Sequence, residues 1–287
     1  MTTQRSALDH RSLPAEFSLR IGSVPYLNVQ PLVWGFSHDC NLGGCHWPYQ
    51  VQLEMAVPSV LAALLREGRF HVALAPVFEA LQNPVYTIIP DIAIGCRGAV
   101  ASVLLVSDHP LDAIRRIYLD PASLSSVSLV RVLAQEWSQT VEILPLPAGC
   151  GPEWNPGPKA ARLLIGDTAL RARQHFAFAY DLGLLWLKTT GLPFVFAAWL
   201  VHPAARCVPL NDVMQRAKRA GMDNLARVAA DTAPAFGFTA DFALRYFREN
   251  VRYGLGAAEL AGLREFARRC ATLGLIPSVP EIVLHEF

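Results

Sequence analysis

Short apolar runs that stop at a polar turn and continue into a helical pattern recur along the chain. Ser18 to Val24 alternates, is rich in apolar residues and reads as a strand. Pro25 ends it, having no N–H for a ladder, and Asn28 stands where a helix begins. Tyr49 to Met55 is a second strand, Pro58 to Arg66 a helix closed by Gly68, and His71 to Ala75 a third strand stopped by Pro76. This is the rhythm of a parallel sheet with crossover helices. Val85 to Ile94 and Gly98 to Ser107 are two β-rich runs parted by Gly95-Cys96-Arg97-Gly98. Further strands fall at Arg116 to Leu119, Val141 to Leu144, Ala161 to Ile165 and Phe176 to Tyr180, with helices over Val127 to Trp137 and Leu182 to Thr190. Pro145 to Pro158, with five prolines and three glycines, is a loop. Leu192 to Val201 is apolar almost throughout, as a central strand is.

From Pro209 the pattern turns helical: Asn211 to Ala230, Ala240 to Asn250 and Ala257 to Leu273. Helices alone build no further sheet, so they pack back on the first lobe. The predicted fold class is α/β with two lobes. The first lobe takes 18–104 and 203–287, the second takes 105–202, and 1–17 is a flexible polar tail. Two long strands near 99–106 and 193–201 cross between them, leaving a cleft that can close on a small ligand.

Composition narrows the function. Among 287 residues, 52% are hydrophobic and 17% charged, which fits a well-packed globular protein rather than a disordered one. A net charge of +1 gives no electrostatic footprint for nucleic acid or a membrane surface. The polar N-terminus does not read as a secretory signal, and the longest apolar stretches, Gly98 to Val106 and Leu192 to Val201, are too short to span a bilayer as helices. A cytoplasmic location is therefore expected. The six cysteines are irregularly spaced and read as reduced thiols. His38, Asp39, Cys40, Cys45 and His46 are a dense group of possible metal ligands, but a structural zinc site uses two well-separated pairs, so a surface loop is the preferred reading.

The chemistry lies at the ends of strands, where open α/β folds bind ligands. Asn28 caps a helix or faces a ligand. Ser102 is a hydroxyl inside an apolar run, so it needs a backbone partner or a cavity. Ser123, Ser125 and Ser126 bring hydroxyls and free N–H groups to one helix start, which suits a carboxylate or phosphate. Asp167 closes the strand at Ile165. There is no P-loop, no Gly-x-Ser-x-Gly, no His-Glu-x-x-His and no dinucleotide Gly-x-Gly-x-x-Gly. These residues describe a cleft for a small anion and leave enzyme and binding protein both open.

Several motifs in order carry a resemblance: Gly22-Ser23-Val24-Pro25-Tyr26-Leu27-Asn28, Gly98-Ala99-Val100-Ala101-Ser102-Val103, Asp120 with the three serines, and Leu164-Ile165-Gly166-Asp167-Thr168. Asp181-Leu182-Gly183, Thr190-Gly191-Leu192-Pro193-Phe194-Val195-Phe196-Ala197 and Asn250-Val251-Arg252-Tyr253 continue it. Over residues 18 to 276 the chain resembles the chorismate dehydratase family of the futalosine route to menaquinone. The resemblance implies a type II periplasmic-binding-protein-like fold and a hydro-lyase that removes water from chorismate, a dianion. It implies no metal and no organic cofactor, Asn28 and Ser102 as the active-site pair, and Tyr26, Gly98, Ser123, Ser125, Ser126, Gly166 and Asp167 around the substrate. The sequence departs from the family in having Leu124 where arginine is usual, with Arg97, Arg20 or Arg206 as replacement cations. Two other readings stand beside this one. A naphthoate-synthase-like lyase on the same fold would use a base such as His109 or His175, and a cytoplasmic small-anion binder would use none.

Overall fold

The computed structural model describes residues 17–38, 50–120 and 123–287. The cysteine and histidine group after His38, and all of the expected tail except Phe17, lie outside these residues. In the first part of the chain, β1 (Ser18–Ser23), β2 (Gln50–Met55), β3 (Val72–Pro76) and β4 (Thr87–Cys96) alternate with α1 (Gln30–His38), α2 (Pro58–Arg66) and α3 (Val77–Gln82). In the middle, β5 (Val103–Ser107), β6 (Arg116–Leu119), β7 (Glu142–Pro145), β8 (Ala160–Ile165) and β9 (Phe178–Asp181) accompany α4 (Leu124–Ala134), α5 (Gly166–Ala172) and α6 (Leu182–Thr190). The strand β10 (Phe194–Val201) and the helices α7 (Leu210–Asp223), α8 (Leu225–Thr232), α9 (Ala240–Glu249) and α10 (Ala257–Thr272) complete the chain.

The strands form two sheets, in the orders β2-β1-β3-β10-β4 and β7-β6-β8-β5-β9, so the molecule is α/β with two lobes. Both sheets are mixed. β10 runs antiparallel to β3 and β4, and β5 runs antiparallel to β8 and β9.

The pattern predicts a single strand over Gly98 to Ser107, but pairing starts only at Val103. Both oxygens of the Asp181 carboxylate draw in this stretch, accepting from the N–H groups of Val100 (3.0 Å) and Ala101 (2.7 Å). Ala101 sits at φ 63°, a left-handed conformation that costs a non-glycine residue about 1–2 kcal/mol. These bonds hold it there, so 97–102 is a bent passage between the lobes and not a strand. The other expected crossing strand stays wholly in the first sheet. β10 is buried along nearly all its length and takes ladder partners on both edges, so the 105–202 segment expected as the second lobe gives its last strand to the first. The return passage is made by α6 and the turn after it. The single helix predicted over Asn211 to Ala230 breaks at Asn224 into α7 and α8. Among the described residues, no helix is long and apolar enough to cross a membrane.

Candidate active site

A cavity partly open to solvent lies between the two sheets. Its floor in the first lobe is apolar, formed by Val24, Leu74, Ile94 and Phe196. Against this floor the polar groups stand out: Tyr26, Asn28, Ser102, Ser123, Ser125 and Ser126 all line the space, together with Gly166. Seven of the nine residues expected at the site therefore meet at one cavity.

Asn28 is placed by a 3₁₀ turn over Leu27–Val29 that leads into α1. Its backbone carbonyl accepts from the Tyr253 hydroxyl at 3.0 Å. Its side-chain Oδ1 is buried without a hydrogen-bond partner. A buried amide oxygen left unpaired costs about 1–3 kcal/mol, which a ligand hydrogen would recover.

Ser102 ends the bent passage. Its hydroxyl is buried and accepts from the Tyr246 hydroxyl at 2.8 Å, while its carbonyl accepts from the Gly166 N–H at 2.7 Å. One hydrogen bond thus ties the passage to the first turn of α5, and the other ties it to α9.

The three serines sit earlier in their helix than the pattern predicts. α4 starts at Leu124, not Val127, so Ser125 and Ser126 lie in its first turn and Ser123 is its N-cap. The first-turn N–H groups have no carbonyl to reach within the helix, and the helix dipole makes that end favourable for an anion. Ser123 makes no side-chain capping bond, so its hydroxyl is not spent on the helix. The Ser125 hydroxyl accepts from the Phe78 N–H at 3.2 Å, joining the start of α4 to the start of α3 across the lobes.

Two expected residues do not reach the cavity. Asp167 turns away from it: its Oδ1 accepts from the Leu27 N–H at 3.1 Å, so it bridges the second lobe to the first. Burial raises its pKa, and the Leu27 N–H and Arg171 oppose that rise. Gly98 lies in the passage, with its carbonyl against Gly183, where a Cβ would come within 2.7 Å. Both place other groups and neither forms the wall.

Tyr26 closes the space at the side where the lobes meet. Its ring packs on Gly166, where an added Cβ would stand 3.0 Å away, and Gly166 has φ 59°. Burial and the nearby carboxylates of Asp120 and Asp167 push the Tyr26 phenol up to about 12.

Among the described residues, no arginine, lysine or histidine lines the cavity. Arg20 and Arg206 spend guanidinium groups on the carbonyls of Arg69 and Val85, Arg97 is exposed, and none of the three replaces the cation missing at Leu124. Leu124 itself packs against the core. His109 and His175 lie off the cavity, with His175 beside Glu153 at 3.4 Å. Sequence reasoning missed Tyr246 and Asp181 as site-building residues. Asp181 belongs to a quoted motif, but its partners lie 80 and 81 residues away. Tyr246 is on the apolar face of a helix, where an aromatic side chain ordinarily signals core.

Two mixed α/β sheets facing each other across a polar-rimmed cavity define a two-lobed, periplasmic-binding-protein-like chain. Solved structures share this architecture. A protein of Archaeoglobus fulgidus matches with a TM-score of 0.67 at 15% identity, covering 94% of this chain and 100% of that one. The periplasmic aliphatic sulphonate binding protein of Escherichia coli matches with a TM-score of 0.60 at 15% identity, covering 92% and 95%. Within this class the chain belongs to the menaquinone biosynthesis family, whose model matches residues 19–272. A curated relative, the chorismate dehydratase of Thermus thermophilus, is 28% identical over 276 residues, 86% of this chain and 93% of that protein.

Proposed function

We propose that this protein is a chorismate dehydratase, eliminating water from chorismate to give 3-[(1-carboxyvinyl)oxy]benzoate in menaquinone biosynthesis. The observation that carries the reading is the convergence of Asn28, Ser102 and the α4 serines on one cavity, in a chain aligned over most of its length with a chorismate dehydratase.

In the reaction, the ring carbon bearing the enolpyruvyl ether loses its proton and the neighbouring carbon loses hydroxide. The C–H electron pair becomes the last double bond of the aromatic ring, and the proton and hydroxide leave together as water. The unpaired Oδ1 of Asn28 accepts from the substrate ring hydroxyl and fixes its position. Ser102 donates to the same oxygen as the C–O bond breaks. Ser123, Ser125 and Ser126, with the first-turn N–H groups of α4, hold a carboxylate without a formal cation. An amide such as Asn28 is no proton acceptor. A substrate carboxylate takes the proton intramolecularly and passes it to the departing hydroxide, with proximity contributing on the order of several kcal/mol. Tyr26 and Gly166 form the wall over the substrate, and Gly98 and Asp167 hold that wall in place.

The test is incubation of the purified protein with chorismate, followed by liquid chromatography and mass spectrometry. Loss of one water with the carboxyvinyl group retained is expected. Unchanged chorismate, even with thermal stabilisation of the protein, overturns the dehydratase and leaves a binder. Asn28→Ala retaining full turnover removes Asn28 from the mechanism.

A further inference from the structure

We propose that Tyr246 is a positioning residue that makes Ser102 a hydrogen-bond donor toward the cavity. This rests on the dehydratase reading and deepens it.

Tyr246 lies on α9 and is buried. Its hydroxyl stands 2.8 Å from the Ser102 Oγ. A phenol has one hydrogen to give, and a buried donor must give it. The Ser102 oxygen receives it, which occupies one lone pair of that oxygen and leaves the serine hydrogen uncommitted. The cavity is the open side of Ser102, so its hydrogen points there. A hydroxyl that accepts one hydrogen bond is polarised to donate another more strongly. The Tyr246 phenol does not ionise near neutral pH, because burial raises its pKa well above the ordinary value. It is a fixed donor and relays no proton.

This polarity fits a departing hydroxide, whose oxygen gains charge as the C–O bond breaks. It conflicts with an ammonium group at the same carbon, which offers only hydrogens. Packing alone does not account for the tyrosine oxygen. The ring stacks on Phe242 and lies tilted against Phe247, and phenylalanine fills the same space there.

The experiment is a double-mutant cycle with Tyr246→Phe, Ser102→Ala and the pair, read in kcat and KM with chorismate. The second substrate is its 4-amino-4-deoxy analogue, read as a competitive inhibitor. Tyr246→Phe is expected to lower kcat about tenfold, one hydrogen bond's worth at the transition state, with KM within about threefold of wild type. The pair is expected to be no slower than Ser102→Ala alone. Preference for chorismate over the amino analogue is expected to shrink in Tyr246→Phe, since the freed serine can then turn and accept. Additive losses, unchanged kcat or unchanged discrimination overturn the proposal. If wild-type protein binds chorismate without converting it, the dehydratase reading falls, and the same cycle in dissociation constants decides the role of Tyr246: coupling keeps it, additivity removes it. If wild-type protein neither binds nor converts chorismate, both readings fall.

Discussion

The Leu27 N–H and the Asp167 carboxylate meet at 3.1 Å across the two lobes, and Asp167→Ala isolates what that bond does for closure. Both residues are buried, Asp167 at 7% exposure. The bond exists only while the lobes are together; in an opened molecule, water serves the Leu27 N–H instead. Removing the acceptor therefore penalises the closed form alone. A hydrogen bond to a charged acceptor contributes about 1.5–3 kcal/mol. The carboxylate has not fully recovered its own dehydration, since burial raises its pKa despite the Leu27 N–H and Arg171. That residual cost disappears with the side chain, so the net penalty is about 1–2 kcal/mol, which shifts a binding equilibrium roughly 5- to 30-fold. KM for chorismate is expected to rise by that factor, with kcat changed much less, because the groups facing the cavity remain. Asp167→Asn keeps an acceptor oxygen without the charge and is expected to stay within about threefold of wild type, since little net favourable charge energy is lost. Steady-state kinetics read both variants, and small-angle scattering with and without ligand reads closure. A wild-type KM for Asp167→Ala refutes the closure argument. An Asp167→Asn variant as impaired as Asp167→Ala shows that charge, not the acceptor, carries the effect.

Gly166→Ala places a Cβ 3.0 Å from the Tyr26 ring at φ 59°. Strain of about 1–2 kcal/mol is expected, seen as a raised KM and a lower Tm, and a fully wild-type variant refutes the packing argument. His71 accepts the Arg20 N–H on Nδ1, and burial with nearby Arg20 and His202 holds its pKa down, from 6.5 to about 4. The unfolded chain therefore binds the proton first, and His71's contribution to stability, complete above pH 6.5, is lost as pH falls toward about 4. His71→Asn, which keeps an acceptor but does not titrate, is expected to flatten the fall in Tm over that window; an unchanged slope removes His71 as the cause.

Most strands were legible because each is an apolar run bounded by proline, glycine or a polar turn, and such runs depend on neighbours close in sequence. The passage at 97–102 was not. Gly98 to Ser107 is as apolar as any strand, and what bends it is a carboxylate on Asp181, invisible to local pattern. The serines at α4 looked like a turn because serine favours caps, yet two of them occupy the first helical turn, where the helix-start dipole serves a ligand as well as a cap does. The short helix α3 went unread, its six residues being too few for a periodicity. Asp167 shows the general ambiguity at strand ends. A polar side chain there serves a ligand or a distant backbone, and the sequence is the same in both cases. Asn28, Ser102 and the serines were legible as a group only because several polar strand ends pointed to one place.

The position of β10 between β3 and β4 governs how the chain comes off the ribosome. β3 and β4 are made early, but the strand that joins them follows only after the whole of the second sheet has been synthesised. Until then their facing edges are unpaired and apolar, a surface that attracts other chains. The second sheet, contiguous from β5 to β9, has no such wait and can assemble first. Tyr246 and Tyr253 emerge later still, so the cavity becomes a competent site only near the end of translation. A nascent chain halted before Phe194 is thus expected to aggregate through its first lobe while carrying an ordered second one.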